Sequence, residues 1–309
     1  MIAVADKSVA YVSVDIDTVD SHLAGYGIAR PPCDRVYRAC VPRLLELLDR
    51  LGIRATLFVI ARDAEAQARL WREASALGHE IASHSLTHPL PFASLSRSDL
   101  DRELRDSRER LEQVVGEPVL GFRAPGWDVS AGTLEAVARA GYVYDASLVP
   151  SPAFVASPIV RFVLSLGAAR GLGLRRALGG AFGKRTPHLT GPGRALVEFP
   201  AAVSPVMRLP FTHTLWYLAP ASACWRTFRT IHRSGVPLSY SFHAVDLLGL
   251  EEDDVDRRMS RHPGMRWPLR PKLRLLEDVL REIVSRYQVS TYAKSLNGGA
   301  VTSWRADQA

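Results

Sequence analysis

The chain has 309 residues, 47% hydrophobic and 23% charged, enough for one large core and ordinary for a globular protein. Three cysteines, Cys33, Cys40 and Cys224, without CxxC spacing argue against a disulfide framework or a structural zinc knuckle, and no run approaches the 18 or more apolar residues of a transmembrane helix. A formal net charge of +7 favours an anionic partner, a nucleic acid, a phospholipid surface or a phosphorylated substrate, without choosing among them.

The opening MIAVADKSVAYVSVDID has no basic n-region and runs directly into acidic residues, so a cytoplasmic start is expected. Short β-branched runs then alternate with longer helical patterns. The expected strands are Val9 to Asp15, Arg54 to Ile60, His79 to His84, Val119 to Arg123, Tyr142 to Asp145, Ala195 to Pro200, Pro237 to His243 and Gln288 to Tyr292. Between them, apolar residues at three- and four-residue intervals predict helices, such as Val41, Leu44, Leu45, Leu48 and Leu51, or Leu100, Leu104, Leu111 and Val115. Gly52, Gly78, Gly116 and Gly141 each stand where a helix C-cap glycine would. Alternation of this kind, without a GxGxxG turn, predicts an α/β fold, a distorted (β/α) barrel of about seven strands forming a single domain over 1–309. Asp15, His84, Arg123, Asp145 and His243 all fall at expected strand ends, where such barrels gather their chemistry, and Asp17 lies just beyond.

One segment breaks the rhythm. Residues 151–194 are rich in glycine, apolar side chains and arginine but contain no acid, and read as an insertion or lid within the domain. Its part from 153 to 185 sets apolar clusters among Arg161, Arg170, Arg175, Arg176, Lys184 and Arg185. A basic amphipathic surface of this kind suits contact with an anionic membrane; a lid packed on the barrel with a solvated basic face is the other reading. No nucleic-acid motif accompanies the charge, so nucleic acid is not expected as a partner. LPFTHTLWYL, 209–218, with His213, Trp216 and Tyr217, is expected in the core rather than along a groove, and the tail after Ser295 reads as a polar end.

Two clusters point to chemistry. Asp15 and Asp17 in SVDIDTVD lie two apart, and like charges so placed suggest a metal or an acid/base site, against a solvated strand end. His84 and His88 in SHSLTHP lie four apart, one helical turn, which would put both imidazoles on one ion; two histidines near a turn is the plain alternative. Two histidines and a carboxylate leave coordination positions open, the pattern of a catalytic rather than a structural site.

VDIDT, HSLTH, FRAPGW, YDASL and YSFH, in this order, resemble the successive motifs of the NodB-homology polysaccharide deacetylases, carbohydrate esterase family 4. The likeness covers residues 9 to 149 and roughly 195 to 295. VSVDIDTVDSHLAGYG is similar to a cytoplasmic, peptidoglycan-deacetylase-like branch, and the chain resembles more weakly the deacetylases and deformylases of polyprenyl-phosphate-linked amino sugars at the inner membrane face. The resemblance implies Asp15 as catalytic base and Asp17, His84 and His88 as metal ligands. It implies Arg123 as the partner of the base, His243 as general acid, and Pro125 and Trp127 as substrate-binding residues. Asp145 is the first candidate to orient His243, and Asp246 the second. The implied cofactor is a divalent metal, with Zn2+ the best fit and Co2+, Ni2+, Fe2+ or Mn2+ also admitted. The implied function is N-deacetylation of an amino sugar in a glycan or lipid-linked saccharide. The alternatives are hydrolysis of another amide, such as a formamide or a small cyclic amide, and a non-catalytic glycan or lipid binder. The expected location is the cytoplasm, peripheral to the membrane.

Overall fold

In the computed structural model, residues 7–155 and 182–297 are described. Nine strands form one sheet: β1 (Val9–Ile16), β2 (Thr56–Val59), β3 (Glu80–Ser83), β4 (Gly121–Phe122), β5 (Tyr144–Asp145), β6 (His188–Thr190), β7 (Leu196–Glu198), β8 (Leu238–His243) and β9 (Gln288–Ser290). Seven of them run parallel and side by side in the order β7-β5-β4-β3-β2-β1-β8, the number expected, while β9 pairs with the first half of β1. The sheet curls until the chain after β7 reaches β8, where Ala202 N–H donates to Ser239 O at 3.0 Å and His213 N–H to Ser241 O at 2.9 Å. The result is a distorted parallel barrel wrapped by helices.

All eight expected strands form, though several are shorter than their apolar runs. The ninth, β6, lies in the described part of 151–194, where His188–Thr190 pairs antiparallel with β7 at the sheet edge. Residues 156–181, which hold Arg161, Arg170, Arg175 and Arg176, lie outside the described residues, and with them the choice between membrane surface and packed lid for that stretch.

The helices follow the predicted stripes. In Val41–Arg50 the side chains of Val41, Leu44, Leu45 and Leu48 are buried, and in Arg97–Val115 those of Leu100, Leu104 and Leu111. Ser96 caps the latter helix by accepting from Asp99 N–H at 3.1 Å, and Gly116 ends it at φ 76, a left-handed conformation that a side chain would strain. Cys40 and Cys224 are buried and Cys33 half-buried, all as thiols. Of 209–218, Phe211, His213 and Trp216 are buried, as expected of core, while Leu218 is exposed.

The period-two alternation of the central strands positions the site. Along β1, Ala10, Val12, Val14 and Ile16 join the core beneath the helices, whereas Tyr11 joins a separate cluster with Phe58, Tyr144, Phe199 and Tyr292 inside the barrel. Ser13 and Asp15 share the inward face with Tyr11, and on β8 Ser239, Ser241 and His243 do the same. Asp15 and His243 are register partners on these adjacent strands, so both emerge at the same point of the C-terminal rim.

Candidate active site

Beyond the end of β1, Thr18 caps the short helix Val19–Gly25, and the turn swings Asp17 toward the chain after β3. Asp17 Oδ1 lies 3.2 Å from His84 Nε2 and 3.4 Å from His88 Nε2. One ligand atom from each residue falls within 4.8 Å of the others, and all three side chains are almost fully buried. The expected helical turn is absent. Residues 84–88 form a loop in which Ser85 and His88 adopt φ 66 and φ 60, and it is this kink that brings the two imidazoles together. Glu103, on the helix Arg97–Val115, holds the loop by accepting from Leu86 N–H at 3.0 Å, Thr87 N–H at 2.9 Å and the Thr87 hydroxyl at 2.6 Å. Ser85 Oγ accepts from His88 N–H at 3.0 Å. His84 Nδ1 bonds Arg123 O at 2.8 Å, which turns Nε2 toward Asp17.

The donor set fits a divalent ion. Asp17 Oδ1 and His88 Nε2 are buried without a hydrogen-bond partner among the described residues, a costly arrangement for two polar atoms unless a ligand sits between them. Burial acts to raise the Asp17 carboxyl, but the facing imidazoles of His88 and His84 outweigh it and hold the group well below the usual range. Burial lowers His88 to about 4, so it is neutral near pH 7 with a lone pair to offer.

Asp15 is gripped from the opposite side. Arg123 Nη1 donates to Asp15 Oδ1 at 2.5 Å, Nη2 to Ser13 Oγ at 3.1 Å and Tyr292 OH at 3.4 Å, and Nε to Ala146 O at 2.9 Å. The guanidinium lies 4.0 Å from the centroid of Phe58 and 4.6 Å from that of Trp127. Burial opposes the charged form of Arg123, yet the adjacent Asp15 carboxylate keeps its pKa above the ordinary value. The pair is therefore a buried ion pair and not a surface salt bridge. Pro125 is buried and Trp127 half-buried in a tight turn over Arg123, with Gly126 and Trp127 both at positive φ.

His243 Nε2 lies 3.9 Å from both Asp15 Oδ2 and Asp17 Oδ2, and its side chain is 25% exposed, the most open of this group. Its backbone N–H donates to Asp246 Oδ2 at 3.0 Å. Burial would raise the Asp246 carboxyl, but His262, His213 and His243 around it hold it below the usual range. Asp145, expected as the first partner of His243, has a different position. It accepts from Ser147 N–H at 3.0 Å and from Ser147 Oγ at 2.8 Å, and it faces Glu198. Four strands separate β5 from β8 in the sheet order. Asp145 thus braces the turn that presents Ala146 O to Arg123, and Asp246, the second candidate, bonds the His243 backbone rather than its ring.

Four further described residues at the site are singled out by no spacing or periodicity in the chain. His22 Nε2 is 3.7 Å from Asp17 Oδ2, and the His22 ring lies 5.3 Å from those of both His243 and His262. Burial lowers His22 to about 3 and His262 to about 4, so both are neutral donors or acceptors at the rim. Glu103 and Glu198 are the others, and only their helix or strand could be read from the chain.

An inward acid locked by arginine, beside two histidines and a carboxylate at the C-terminal rim of a parallel barrel, defines a barrel protein with a candidate metal site whose donor set would leave coordination positions open. Residues 33–144 match the family model described as Polysaccharide deacetylase. A peptidoglycan deacetylase of Helicobacter pylori is 32% identical over 146 residues, 45% of this chain and 49% of that one. A chitooligosaccharide deacetylase of Sinorhizobium fredii is 33% identical over 101 residues, 32% and 46% of the two chains. The chain spans about half the length of these curated relatives. Among solved structures, a putative polysaccharide deacetylase from Mycobacterium smegmatis superimposes with a TM-score of 0.62 at 18% identity, over 98% of this chain and 94% of the other. The Puue allantoinase does so at 0.62 and 15%, over 96% and 91%. At these identities the likeness concerns the fold. Residues 33–144 thus carry the pattern of the polysaccharide deacetylase family, of NodB-homology type.

Proposed function

We propose that this protein is a metal-dependent hydrolase that removes an N-acyl group, most readily acetyl, from an amino sugar in a glycan or lipid-linked saccharide. The observation that carries the reading is the convergence of Asp17, His84 and His88 within 4.8 Å beside an Asp15 that Arg123 grips through Oδ1. Relatives named peptidoglycan deacetylase and chitooligosaccharide deacetylase support an amino-sugar glycan as substrate.

Asp17, His84 and His88 would hold the ion, for which Zn2+ is well suited. Bound there, a divalent ion supplies Lewis-acid polarisation and makes water acidic enough to act near neutral pH. Asp15 serves as the base. Arg123 occupies its Oδ1, which leaves Oδ2 turned toward His243 and the rim to take a proton from water. His243, fixed at its backbone by Asp246, gives a proton to the departing nitrogen. Pro125 and Trp127 form a wall for the sugar over the Arg123 guanidinium.

The test is release of acetate from N-acetylchitooligosaccharides and peptidoglycan fragments with added divalent metals. Asp15→Asn should retain metal and lose turnover by about 10²–10⁴-fold, the usual share of a positioned base. Asp17→Ala and His84→Ala should lose the metal itself. An Asp15→Asn enzyme of full activity, or full metal retention by either ligand variant, would overturn the assignment.

A further inference from the structure

The positive charge of this protein is concentrated in one stretch. Of the 39 basic and 32 acidic residues, 11 basic and a single acid, Glu198, fall between Ala146 and Val245, while the other 209 residues carry 28 basic against 31 acidic. Glu198 is buried beside Asp145, so this stretch offers no carboxylate to solvent among its described residues.

Two described parts of the stretch meet at the rim of the barrel. Val203 bridges Pro210 across a hairpin whose tip is Val206 and Met207. Next to it, Arg208 Nη1 donates to Gly183 O at 2.9 Å and Pro150 O at 3.4 Å, with its guanidinium 5.9 Å from the Phe182 ring. Phe182, Val206 and Met207 are 70, 89 and 70% exposed, and Lys184, exposed, and Arg185, half-buried, follow directly. Pro150 and the hairpin follow the C-terminal ends of β5 and β7, so the patch shares its end of the barrel with the candidate active site.

We propose that Phe182, Val206 and Met207, flanked by Lys184, Arg185 and Arg208, form a docking surface for an anionic lipid bilayer. Apolar side chains at a projecting tip enter the acyl boundary while the neighbouring cations remain at the headgroups. The charge of the stretch complements an anionic surface. A polynucleotide would call for aromatic stacking platforms, whereas two of the three tip residues are aliphatic. Docking in this orientation turns the catalytic rim toward the bilayer. The inference stands apart from the catalytic reading, because its test needs no substrate.

The test is co-sedimentation of the full chain with phosphatidylcholine vesicles, with and without phosphatidylglycerol, at low and high salt. Wild type should bind only the phosphatidylglycerol vesicles and be released by salt. The Val206→Glu/Met207→Glu and Lys184→Glu/Arg185→Glu double variants should each lose at least about tenfold in partition, as expected when apolar contact or surface charge is removed. Their melting temperatures and size-exclusion elution should match wild type. Failure of wild type to bind, or undiminished binding by Val206→Glu/Met207→Glu, would overturn the proposal. So would a fall in melting temperature or a shift in elution of the tip variant, outcomes that assign the patch to the chain's own packing or to a second copy.

Discussion

Arg123 makes four hydrogen bonds to four partners while its guanidinium lies over two aromatic rings, Phe58 and Trp127. A lysine cannot reproduce this, since its three donors radiate from one atom and it has no plane to stack. Arg123→Lys should fold, keep its metal and leave KM nearly unchanged, yet lose about 10²-fold or more in kcat because Asp15 is no longer held in one orientation. Arg123→Met leaves a carboxylate buried without its cation and should cost about 3–5 kcal/mol in urea unfolding. Full turnover by Arg123→Lys would show that the fork does not orient the base. The Asp145–Glu198 pair calls for the opposite expectation. Burial, and then the neighbouring Asp145, raise Glu198 well above the ordinary carboxyl range, so the folded protein retains a proton that the unfolded chain releases. Stability contributed by that proton is complete below the unfolded value of 4.5 and declines as pH rises above it. Glu198→Gln keeps an acceptor for Leu148 N–H and removes the titration. Its melting temperature should match wild type near pH 4 and exceed it progressively toward pH 8, by an amount equivalent to about 1–3 kcal/mol. A constant difference across that range would show that Glu198 does not titrate in the fold.

At the scale of elements, the loop after β3 depends on a helix that begins a dozen residues later. Glu103 is nearly fully buried and collects three hydrogen bonds from Leu86 and Thr87, so it sets the loop that carries His84 and His88. Glu103→Ala should lower metal affinity by about 10–100-fold, the usual effect of removing a residue that orients ligands, with helix content unchanged by circular dichroism. Unaltered affinity would mean that the loop holds its shape unaided. This arrangement shows what a linear reading can reach. The spacing of His84 and His88 pointed correctly to convergence but for the wrong reason, because positive φ at Ser85 and His88, not a helical turn, brings them together. The alternation of β1 and β8 was legible, and with it the inward placement of Asp15 and His243. Position at a strand end says which rim a residue reaches but not which neighbours it meets there, and the hydrogen bonds of Asp145 go to Ser147. His22 and His262 lie in VDSHLAG and SRHPG, where neither periodicity nor spacing marks them; only the packed fold brings their rings to His243. β6, HLT, is half-buried throughout and has no apolar run to mark it.

Across the whole molecule, the two ends of the described chain meet inside the barrel. Tyr292, two residues after β9, places its ring 4.9 Å from Tyr11, 5.4 Å from Tyr144 and 4.7 Å from Phe199. Its hydroxyl bonds Ser239 Oγ at 2.5 Å and accepts from Arg123, its N–H donates to Thr56 Oγ1 at 3.3 Å, and the next residue, Ala293, donates to Glu80 Oε2 at 3.0 Å. The Tyr292 side chain therefore touches residues from β1, β2, β5 and β8 and from the chain immediately beyond β4 and β7, and reaches the base through a single arginine. Tyr292→Phe keeps the ring and removes one hydroxyl shared by Arg123 and Ser239, so it should cost about 1 kcal/mol and change turnover only a few-fold. Tyr292→Ala empties the centre of the interior and should cost about 3–5 kcal/mol. Because that interior is common to nearly every strand, the loss should appear as an earlier transition of unchanged cooperativity, with near- and far-ultraviolet circular dichroism melting together. Separate melting of the two signals in Tyr292→Ala would instead divide the barrel into halves that unfold independently, with the arginine and the acid it holds on opposite sides of the divide.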